Sequence, residues 1–593
     1  MVGIAGFFHD PNRQSAFASL KSITALFAEG SNLRPSQTFY DNHLCCVAAS
    51  LAFQNLEPCI SPDLVVWLDG EIYDFGEAAG SINLSQPATA IFASLYRQHG
   101  LTFLEHIDGI FASVIYDRAA KELHLITDRY GLRRLYIWRG SKLAWASALK
   151  YFLPVLDFSA QIDPAALDDF IELGYITEER TWFKDVSLLP SGSILSWDIV
   201  RNCGKQTRYW WWDKIKLLSG SLDENEVADE LGILFVRAVE KRVRSGERTG
   251  VELSGGLDSR AVLAAIPNYG NVLHTITFGI DGCADRLIAA RAAAVRQAVN
   301  RGFSLNATNW LFPRFKGVWL AEGQTSLLHM HGFEAAELES ELFDIALNGF
   351  LGDVVLGGSW LAREALDHPI TPQLAGRFVG REPSKVNITK QYFDLNKTDF
   401  YFLQNRGRRF TYNGLVLMST YIETRIPFYD NKLLEFSYSL PDSMRLKSHI
   451  YKTMLLRKFP EFYRRIPWQK TGNPIGMSDN VAKLLHVIRR VRRKVFRYSG
   501  GFFQDPFQSY EYVDYPDWLR REPARKVFSA LFNHPQAIYP QYLPRSRVEF
   551  AWNEHLRGLD HAEELCRYIT FEIWLQQIFE KRFRTEEDVH RCV

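Results

Sequence analysis

The composition of this chain is typical of an ordinary globular protein with little net charge. It has 593 residues, 47% of them hydrophobic, and a formal net charge of +1 at pH 7. A near-neutral chain lacks the overall field that attracts nucleic acid or a membrane surface, so we expect small or local partners and no nucleic acid.

Cysteine usage and hydropathy favour a cytoplasmic protein. The seven cysteines are odd in number and scattered, without the spacing of metal ligands, which suits a reducing compartment. No run approaches the roughly 18 apolar residues of a membrane-spanning helix, and the N-terminus lacks the pattern of a signal peptide. We therefore expect a cytoplasmic location and no transmembrane segment.

The first part of the chain is predicted to be a mainly antiparallel α+β unit. Short β-like runs such as "GIAGFF", "LVVWLDGEIYD" and "GIFASVIYD" surround one helical segment near residues 87–99. Cys45 and Cys46 lie in an apolar run and are predicted to be buried thiols. A helical pattern that could start with a capping box of Ser221 and Glu224 follows a polar aromatic stretch. The predicted domains are therefore residues 1–210 and 211–593.

The stretch "GVELSGGLDSRAVLAA", residues 250–265, predicts a buried strand, a glycine turn and a helix. Such a turn presents unpaired backbone N–H groups at a helix N-terminus, where an anion such as phosphate binds well. Asp258 would fit among anion-binding groups if it held Mg²⁺ bridging to phosphate oxygens.

Strand-like and helical runs alternate after this point, which predicts a parallel sheet covered by helices. Ligands of such sheets collect at the carboxyl ends of the strands. Leu253, Gly279 and Gly349 would all lie at such ends, so three loops could meet around one nucleotide.

Several ordered motifs resemble those of one known family. S-G-G-L-D-S is similar to the PP-loop of the ATP pyrophosphatases, and the order of domains resembles the asparagine synthetase B family. The segments that carry this resemblance are "LDGEIYD", "IDGIFASVIYDRAAKELHLITDRYGLRRLYIW", "NGFLGDVVLGG", "TRIPFYDNKLLE" and "IPWQKTGNPIG". The resemblance implies an N-terminal antiparallel β-sandwich of the Ntn-hydrolase type and a C-terminal α/β PP-loop domain with a parallel sheet and extra helices.

The resemblance also implies site residues and the cofactors ATP and Mg²⁺. Asp258 and Asp353 would hold Mg²⁺ on the pyrophosphate, and Lys470 would neutralise charge as AMP leaves the acyl carbon. The residues implied in nucleotide binding are the phosphate-cradling Ser254, Gly255, Gly256 and Ser259, and the adenosine-pocket residues Leu253, Phe278 and Gly349. Structural alternatives exist for three of these residues: Asp353 could be an N-cap, Phe278 a core residue and Lys470 a solvated loop residue.

The N-terminal domain departs from the family at the residues that hydrolyse glutamine. Val2 replaces the nucleophilic cysteine, Asp69 replaces the oxyanion-hole asparagine, and Pro87 replaces an aspartate that holds the substrate amine. The segment 43–63 offers no arginine for the substrate carboxylate. We therefore predict that this domain is inactive as a glutaminase.

The synthetase-like domain departs from the family at Phe350, where related enzymes carry glutamate or tyrosine. A phenyl ring can neither accept nor donate a proton. Lasso-peptide cyclases show a similar profile, since they activate a side-chain carboxylate and let the amine of the same peptide attack it. Holding both groups together could supply an effective molarity of ~10⁵ M.

The leading hypothesis is an AMP-forming, ATP-dependent carbon–nitrogen ligase, namely a lasso-peptide or macrolactam cyclase. Its expected partners are a carboxylate substrate, here a precursor peptide, and a leader-peptide protease or recognition protein. One alternative is asparagine synthetase-like amidation of a small or sugar-linked carboxylate with ammonia, and another is a non-catalytic scaffold.

Two further segments leave alternatives open. His329 and His331 could line an acceptor pocket. The basic segment 481–497 has helical spacing and is either a solvated helix face or a docking surface for an acidic peptide, a protein or a membrane.

Overall fold

The computed structural model describes residues 3–9, 13–29, 31–54, 56–80, 82–268, 270, 272–477, 481, 485 and 511–584. Val2 and nearly all of the segment 481–497 lie outside the described residues, so the predictions made for them remain predictions.

Two antiparallel sheets are built from the strands before residue 210. These strands are β1 (Gly3–Phe8), β2 (Leu33–Pro35), β3 (Phe39–Tyr40), β4 (Leu44–Leu51), β5 (Cys59–Ile60), β6 (Leu64–Asp74), β7 (Asp108–Asp117), β8 (Glu122–Thr127), β9 (Tyr136–Arg139), β10 (Leu143–Ala146), β11 (Val186–Leu188), β12 (Ser193–Asp198) and β13 (Cys203–Arg208). One sheet has the order β11-β9-β10-β1-β4-β2, with β3 also paired to β4, and the other has the order β13-β12-β8-β7-β6-β5.

The two sheets pack face to face. Alternate side chains of both sheets meet in one apolar layer that includes Ile4, Cys46, Trp67, Val114 and Trp145. Helix Arg13–Ala28 covers β4 and helix Ala88–His99 covers β6 on the outer faces. This arrangement confirms the predicted antiparallel sandwich, and Cys45 and Cys46 are both fully buried as expected. The prediction of a single helical segment missed helix Arg13–Ala28.

A five-stranded parallel sheet forms the centre of the second domain. Its strands are β14 (Thr249–Glu252), β15 (His274–Gly279), β16 (Val299–Ser304), β17 (Ile345–Leu347) and β18 (Glu423–Arg425). They lie in the order β16-β15-β14-β17-β18 and every neighbouring pair is parallel. The predicted α/β domain with a parallel sheet is confirmed.

Helices surround this sheet and extend to the end of the described chain. The α-helices of the whole chain are Arg13–Ala28, Ala88–His99, Pro164–Leu173, Glu224–Glu240, Asp258–Ala265, Ala284–Arg296, Pro313–Ala321, Ala336–Leu342, Gly352–Val355, Pro372–Val379, Asp399–Phe402, Tyr412–Met418, Asn431–Ser439, Asp442–Arg445, His449–Lys458, Pro460–Tyr463, Tyr515–Trp518, Ala524–Phe532, Arg545–Leu556 and Ala562–Leu575. Helix Glu224–Glu240 is capped by Asp223, which accepts from the backbone N–H groups of Asn225 and Glu226, so the predicted capping box at Ser221 is wrong. Within the described part of the chain, no helix is both long enough and apolar enough to cross a lipid bilayer.

A π-helical stretch, Leu403–Thr411, joins the two domains through buried guanidinium groups. Arg408 donates to the backbone carbonyls of Gly131 and Leu189, and Arg409 donates to that of Glu178. An arginine buried this way satisfies several carbonyl acceptors at once, which fixes the two domains against each other.

Candidate functional site

A cavity of about 330 Å³ opens at the carboxyl ends of β14, β15 and β17. Seven of the predicted binding residues line this cavity: Leu253, Ser254, Gly256, Asp258, Ser259, Phe278 and Gly349. The other three lie beside the cavity: Gly255 and Lys470 in loops, and Asp353 at the start of helix Gly352–Val355. Three separate loops therefore meet around one space, as expected for the strand ends of a parallel sheet.

The glycine turn after β14 is held by its own side chains. The backbone N–H of Ser254 donates to Ser259 Oγ at 3.0 Å, that of Gly256 to Ser254 Oγ at 3.1 Å, and that of Gly255 to Asp285 Oδ1 at 2.8 Å. The prediction of unpaired amides is therefore wrong for these three groups, because nearby side-chain oxygens satisfy them. The hydroxyls of Ser254 and Ser259 lie 3.0 Å apart and can rotate to donate to an anion instead.

Asp258 and Asp353 lie together at the start of their two helices. The backbone N–H of Asp353 donates to Asp258 Oδ2 at 3.0 Å, and Tyr451 Oη donates to Asp258 Oδ1 at 2.8 Å. Burial, and then the neighbouring charge of Asp353, raise the pKa of Asp258 to about 8. Desolvation raises the pKa of Asp353 as well. The protein thus places two carboxylates where their negative charges are poorly compensated.

This carboxylate pair fits Mg²⁺. A divalent cation would relieve the repulsion between the two groups, and Mg²⁺ is commonly bound by one or two carboxylates together with nucleotide oxygens and water. Among the described residues, no three or more His, Cys, Asp or Glu side chains converge to form a cage made by the protein alone. The donor set of Asp258 and Asp353 therefore suits a metal that arrives with a phosphate ligand.

Gly349 is required by a close backbone approach. A Cβ atom at this position would lie 2.6 Å from the backbone nitrogen of Ser259 and 2.8 Å from the carbonyl carbon of Asp258. Only glycine lets the loop that carries Asp353 lie directly against the start of helix Asp258–Ala265. The two predicted metal ligands are close because of this contact.

The loop that carries Lys470 is attached to the glycine turn. The backbone N–H of Gln469 donates to the carbonyl of Gly255 at 3.1 Å. The ammonium of Lys470 lies 5.6 Å from the centre of the Trp468 ring, and its charge lowers the pKa of Asp353. Lys470 is exposed, but it lies near the predicted metal ligands rather than far out in solvent.

Aromatic side chains form the other end of the cavity. The rings of Phe278 and Tyr512 make an edge contact with centroids 6.1 Å apart, and Tyr512 Oη lies 2.8 Å from His331 Nδ1. The backbone N–H of Ile280 donates to the carbonyl of Tyr512, which ties this residue to the end of β15. The cavity therefore has a polar end at the glycine turn and an aromatic end that could take a nucleobase.

Phe350 lies outside the cavity wall, in an aromatic cluster between the domains. It is 5% exposed and packs against Tyr412 at 5.5 Å and Tyr429 at 5.3 Å between ring centroids. Tyr429 in turn contacts Tyr130 of the N-terminal domain at 5.2 Å. Phe350 is thus an apolar packing residue, at a position where the family resemblance implies an ionisable side chain.

Asp69 is paired with an arginine instead of being free to meet a substrate. It is 2% exposed, and its Oδ1 lies 3.7 Å from Nη1 of Arg133, which also hydrogen-bonds to Glu423 of β18. Burial raises the pKa of Asp69 to about 7, although the charge of Arg133 lowers it. The space between Asp69 and Tyr412 is only about 20 Å³, room for about one water molecule.

A second cavity, of about 230 Å³, remains next to Pro87 and Glu71. Two arginines reach it from the other domain, Arg244 and Arg425, whereas the segment 43–63 supplies none. Arg425 is already engaged, since it donates two hydrogen bonds to Glu71 at 2.6 and 2.7 Å and two to Glu247. Sequence reasoning missed both arginines because they come from a distant part of the chain.

Sequence reasoning also missed four residues of the main site. Glu252, Asp285 and Tyr512 line the cavity, and Tyr451 donates to Asp258. Glu252 could have been noticed as a charge in a buried strand. The other three come from helices and loops whose contacts with the glycine turn leave no local pattern in the sequence.

Comparisons with known proteins agree with this architecture. The model of the glutamine amidotransferase domain matches residues 1–211, and the model of asparagine synthase matches residues 230–467. A putative asparagine synthetase of Methanocaldococcus jannaschii is 27% identical over 228 residues, covering 37% of this chain and 44% of the relative. Asparagine synthetase 2 of Bacillus subtilis is 23% identical over 456 residues, covering 68% of this chain and 61% of the relative.

The chain thus spans about half the length of these first two relatives. Asparagine synthetase 1 of Bacillus subtilis, at 22% identity, aligns over 93% of both chains. The two matched regions follow one another along this chain and together cover the sandwich and the parallel sheet. The chain belongs to the asparagine synthetase B-like family.

Proposed function

We propose that this protein is an ATP-dependent ligase that activates a carboxylate with release of pyrophosphate and joins the acyl group to an amine with release of AMP. The observation that carries this proposal is the meeting of the glycine turn, the Asp258–Asp353 pair and the Lys470 loop at one cavity on the strand ends. A catalytically silent scaffold would have no physical use for two uncompensated carboxylates beside a phosphate-sized turn.

Each part of the site has a role in this reaction. The hydroxyls of Ser254 and Ser259 would rotate to bind the pyrophosphate portion of ATP, which would also release the backbone N–H groups of Ser254 and Gly256 for it, in the turn formed by Gly255 and Gly256. Asp258 and Asp353 would hold Mg²⁺, which when bound neutralises charge on the phosphates. Leu253, Phe278 and Gly349 would border the adenosine.

Lys470 would act on charge that develops during the second step. The amine nitrogen attacks the activated acyl carbon, the bond from that carbon to the AMP oxygen breaks, and the proton lost by the amine passes to water. The ammonium of Lys470 lies on the side of the metal ligands and can stabilise the negative charge that builds up on the acyl and phosphate oxygens.

The amine is proposed to come from the substrate itself. Two observations favour this source over glutamine: Asp69 is paired with Arg133, and the space between Asp69 and Tyr412, a neighbour of Phe350, is only about 20 Å³. We therefore propose a lasso-peptide or macrolactam cyclase that acts on a precursor peptide, with a leader-peptide protease or recognition protein as partner.

The second candidate is amidation of a small or sugar-linked carboxylate with free ammonia. The names of the relatives favour it, because they are asparagine synthetases. Both candidates share the activation step and differ in the carboxylate that is activated and in the source of the amine.

The test uses the purified full chain with ATP, Mg²⁺ and either a candidate precursor peptide or a set of small acids with ammonium. AMP and pyrophosphate are the expected products in either case. Mass spectrometry then separates the candidates, because cyclisation removes one water from the peptide without adding nitrogen, whereas amidation replaces a hydroxyl by an amino group. Release of ADP and phosphate in step with product would overturn the proposed activation step.

A further inference from the structure

Tyr451 is a buried tyrosine whose hydroxyl contacts one of the two predicted metal ligands. It lies in helix His449–Lys458 and is 0% exposed, and its Oη donates to Asp258 Oδ1 at 2.8 Å. The other buried side chains of this helix are apolar: Ile450, Met454 and Leu455. A hydroxyl in such surroundings needs an acceptor, and the acceptor here is a carboxylate of the main site rather than a backbone carbonyl.

The Asp258 carboxylate is held by one donor on each of its two oxygens. Tyr451 donates to Oδ1, and the backbone N–H of Asp353 donates to Oδ2 at 3.0 Å. Because the two donors come from different segments, rotation of the carboxylate about its Cβ–Cγ bond breaks at least one of these directional bonds. One lone pair on each oxygen remains for another ligand.

Gly352 and Phe428 close the space around the same carboxylate. A Cβ atom on Gly352 would lie 2.8 Å from Asp258 Cγ and 2.6 Å from Cζ of Phe428. The Phe428 ring also makes an edge contact with the Tyr451 ring, with centroids 6.2 Å apart. Packing therefore fixes where the carboxylate lies, and the two hydrogen bonds fix its rotation.

We propose that Tyr451 is a positioning residue for the metal, because its hydroxyl orients the Asp258 carboxylate for Mg²⁺. This inference rests on the proposed function, in which Asp258 and Asp353 hold Mg²⁺ on the phosphates of ATP. Tyr451 is not one of the described residues that line the cavity, so it acts through Asp258 and not on the substrate.

The size of the expected effect follows from the geometry that Mg²⁺ requires. This ion demands near-ideal octahedral coordination, so its affinity depends on the direction in which each carboxylate presents a lone pair. Hydrogen bonds that orient metal ligands are typically worth about 10- to 100-fold in metal affinity. Ca²⁺ accepts irregular coordination and should depend less on the orientation of Asp258.

The test measures binding of α,β-methylene-ATP to the full chain by calorimetry, with EDTA or with saturating Mg²⁺. This analogue cannot release pyrophosphate, so binding is measured without turnover. In the wild type, Mg²⁺ should tighten binding of the analogue. In Tyr451→Phe this gain should fall by about tenfold or disappear, while binding in EDTA stays within about twofold of the wild type. With Ca²⁺ in place of Mg²⁺, the variant should lose less of the gain.

Tyr463→Phe is the matched control. Tyr463 is also 0% exposed, and its hydroxyl donates at 2.6 Å to the backbone carbonyl of Leu257, one residue before Asp258. This variant loses a buried hydroxyl beside the same turn but leaves both donors on the Asp258 carboxylate. Its gain from Mg²⁺ should therefore match that of the wild type, although the variant should unfold at a lower denaturant concentration.

An unchanged gain in Tyr451→Phe, or an equal fall in both tyrosine variants, would overturn this inference and leave the proposed function intact. The same holds for an equal loss with Ca²⁺ and Mg²⁺, because the hydroxyl would then not act through orientation. A Tyr451→Phe chain that binds the analogue neither with nor without metal would also overturn it, since the hydroxyl would then support the fold. If the wild type shows no gain from Mg²⁺, the proposed metal site fails and this inference fails with it.

Discussion

Asp258 and Asp353 carry the first prediction at the scale of single residues. Their amide variants, Asp258→Asn and Asp353→Asn, keep the shape of each side chain but remove the charge that would hold Mg²⁺. We expect each variant to lose most of its ATP turnover, measured as pyrophosphate release at a fixed Mg²⁺ concentration. Near-normal pyrophosphate release from either variant would place the metal elsewhere.

Lys470 separates the two steps of the proposed reaction. Lys470→Ala should lower product formation by about 10²-fold or more, the scale for removing one preorganised charge donor. ATP binding, measured by calorimetry, should persist because the cavity wall is unchanged. Lys470→Arg should also fail, since a wide planar guanidinium does not replace a compact ammonium. Full product formation by Lys470→Ala would contradict the role, as would loss of product that only parallels loss of ATP binding.

Phe350 should behave as a packing residue. Phe350→Leu removes part of a ring that is 5% exposed, so we expect a stability loss of about 1–2 kcal/mol in denaturant unfolding with ATP turnover largely retained. A collapse of turnover in a folded Phe350→Leu variant would show that the ring has a part in the chemistry.

The sequence was informative at the residue scale where a local motif exists. The S-G-G-L-D-S turn and the loop around Gly349 could be located because each lies in one short stretch, and five of their predicted residues do line one cavity. Glu252, Asp285 and Tyr512 were not found, because their roles depend on which segments fold against the turn. The paired state of the turn amides was also missed, since it depends on side-chain rotation.

Secondary-structure elements were predicted well where the hydrophobic pattern was strong, and poorly where small or polar residues interrupted that pattern. Helix Arg13–Ala28 buries Ala16, Leu20, Ile23 and Phe27 at helical spacing, yet serines, a lysine and alanines between them hide the apolar face. The start of helix Glu224–Glu240 was placed at Ser221 by a capping-box pattern, but Asp223 satisfies two amides at once. In both cases several weak local signals competed, and the prediction followed the wrong one.

The contact between β6, the loop with Arg133 and β18 gives a prediction at the element scale. Arg133→Met leaves Asp69 and Glu423 buried without their counter-charge, so we expect a loss of about 3–5 kcal/mol in the free energy of unfolding. The exposed pair Arg97–Asp63 provides the control, because Arg97→Met should cost no more than about 1 kcal/mol.

The loss of unfolding free energy in Arg133→Met should also depend on pH. Burial already raises the pKa of Asp69 to about 7, and removal of Arg133 raises it further, because the arginine charge lowers it. In the folded variant, Asp69 therefore stays protonated at pH values where it is ionised in the folded wild type and in the unfolded chain. The loss of unfolding free energy should thus be larger at about pH 8.5 than at about pH 6. A loss that is equal at both pH values would show that packing, and not charge, dominates this contact.

At the scale of the whole molecule, the two domains form one packed unit whose contact surface is mostly closed. Arg408 and Arg409 fix the domains through backbone carbonyls, while Arg133 and Arg425 join β6 and its neighbouring loop to β18. An N-terminal domain with this many buried contacts stabilises the synthetase-like domain even without chemistry of its own. The sequence predicts that the glutaminase residues are lost, but it could not show that ion pairs occupy the contact surface between the domains.

The ion pairs at this contact surface lead to the last prediction, that the purified chain has no glutaminase activity. Val2 cannot act as a nucleophile, Asp69 is engaged by Arg133, and Pro87 begins helix Ala88–His99 without a side chain that could bind an amine. Val2→Cys alone should therefore not restore glutamate formation, because the oxyanion would still face a carboxylate instead of an amide donor. Glutamate is measured with glutamine, ATP and Mg²⁺ present, and Arg97→Met serves as a neutral control. Glutamate formation by the wild-type chain that Asp69→Ala abolishes would show that the domain is an active glutaminase and that the substrate's own amine is not the required nucleophile.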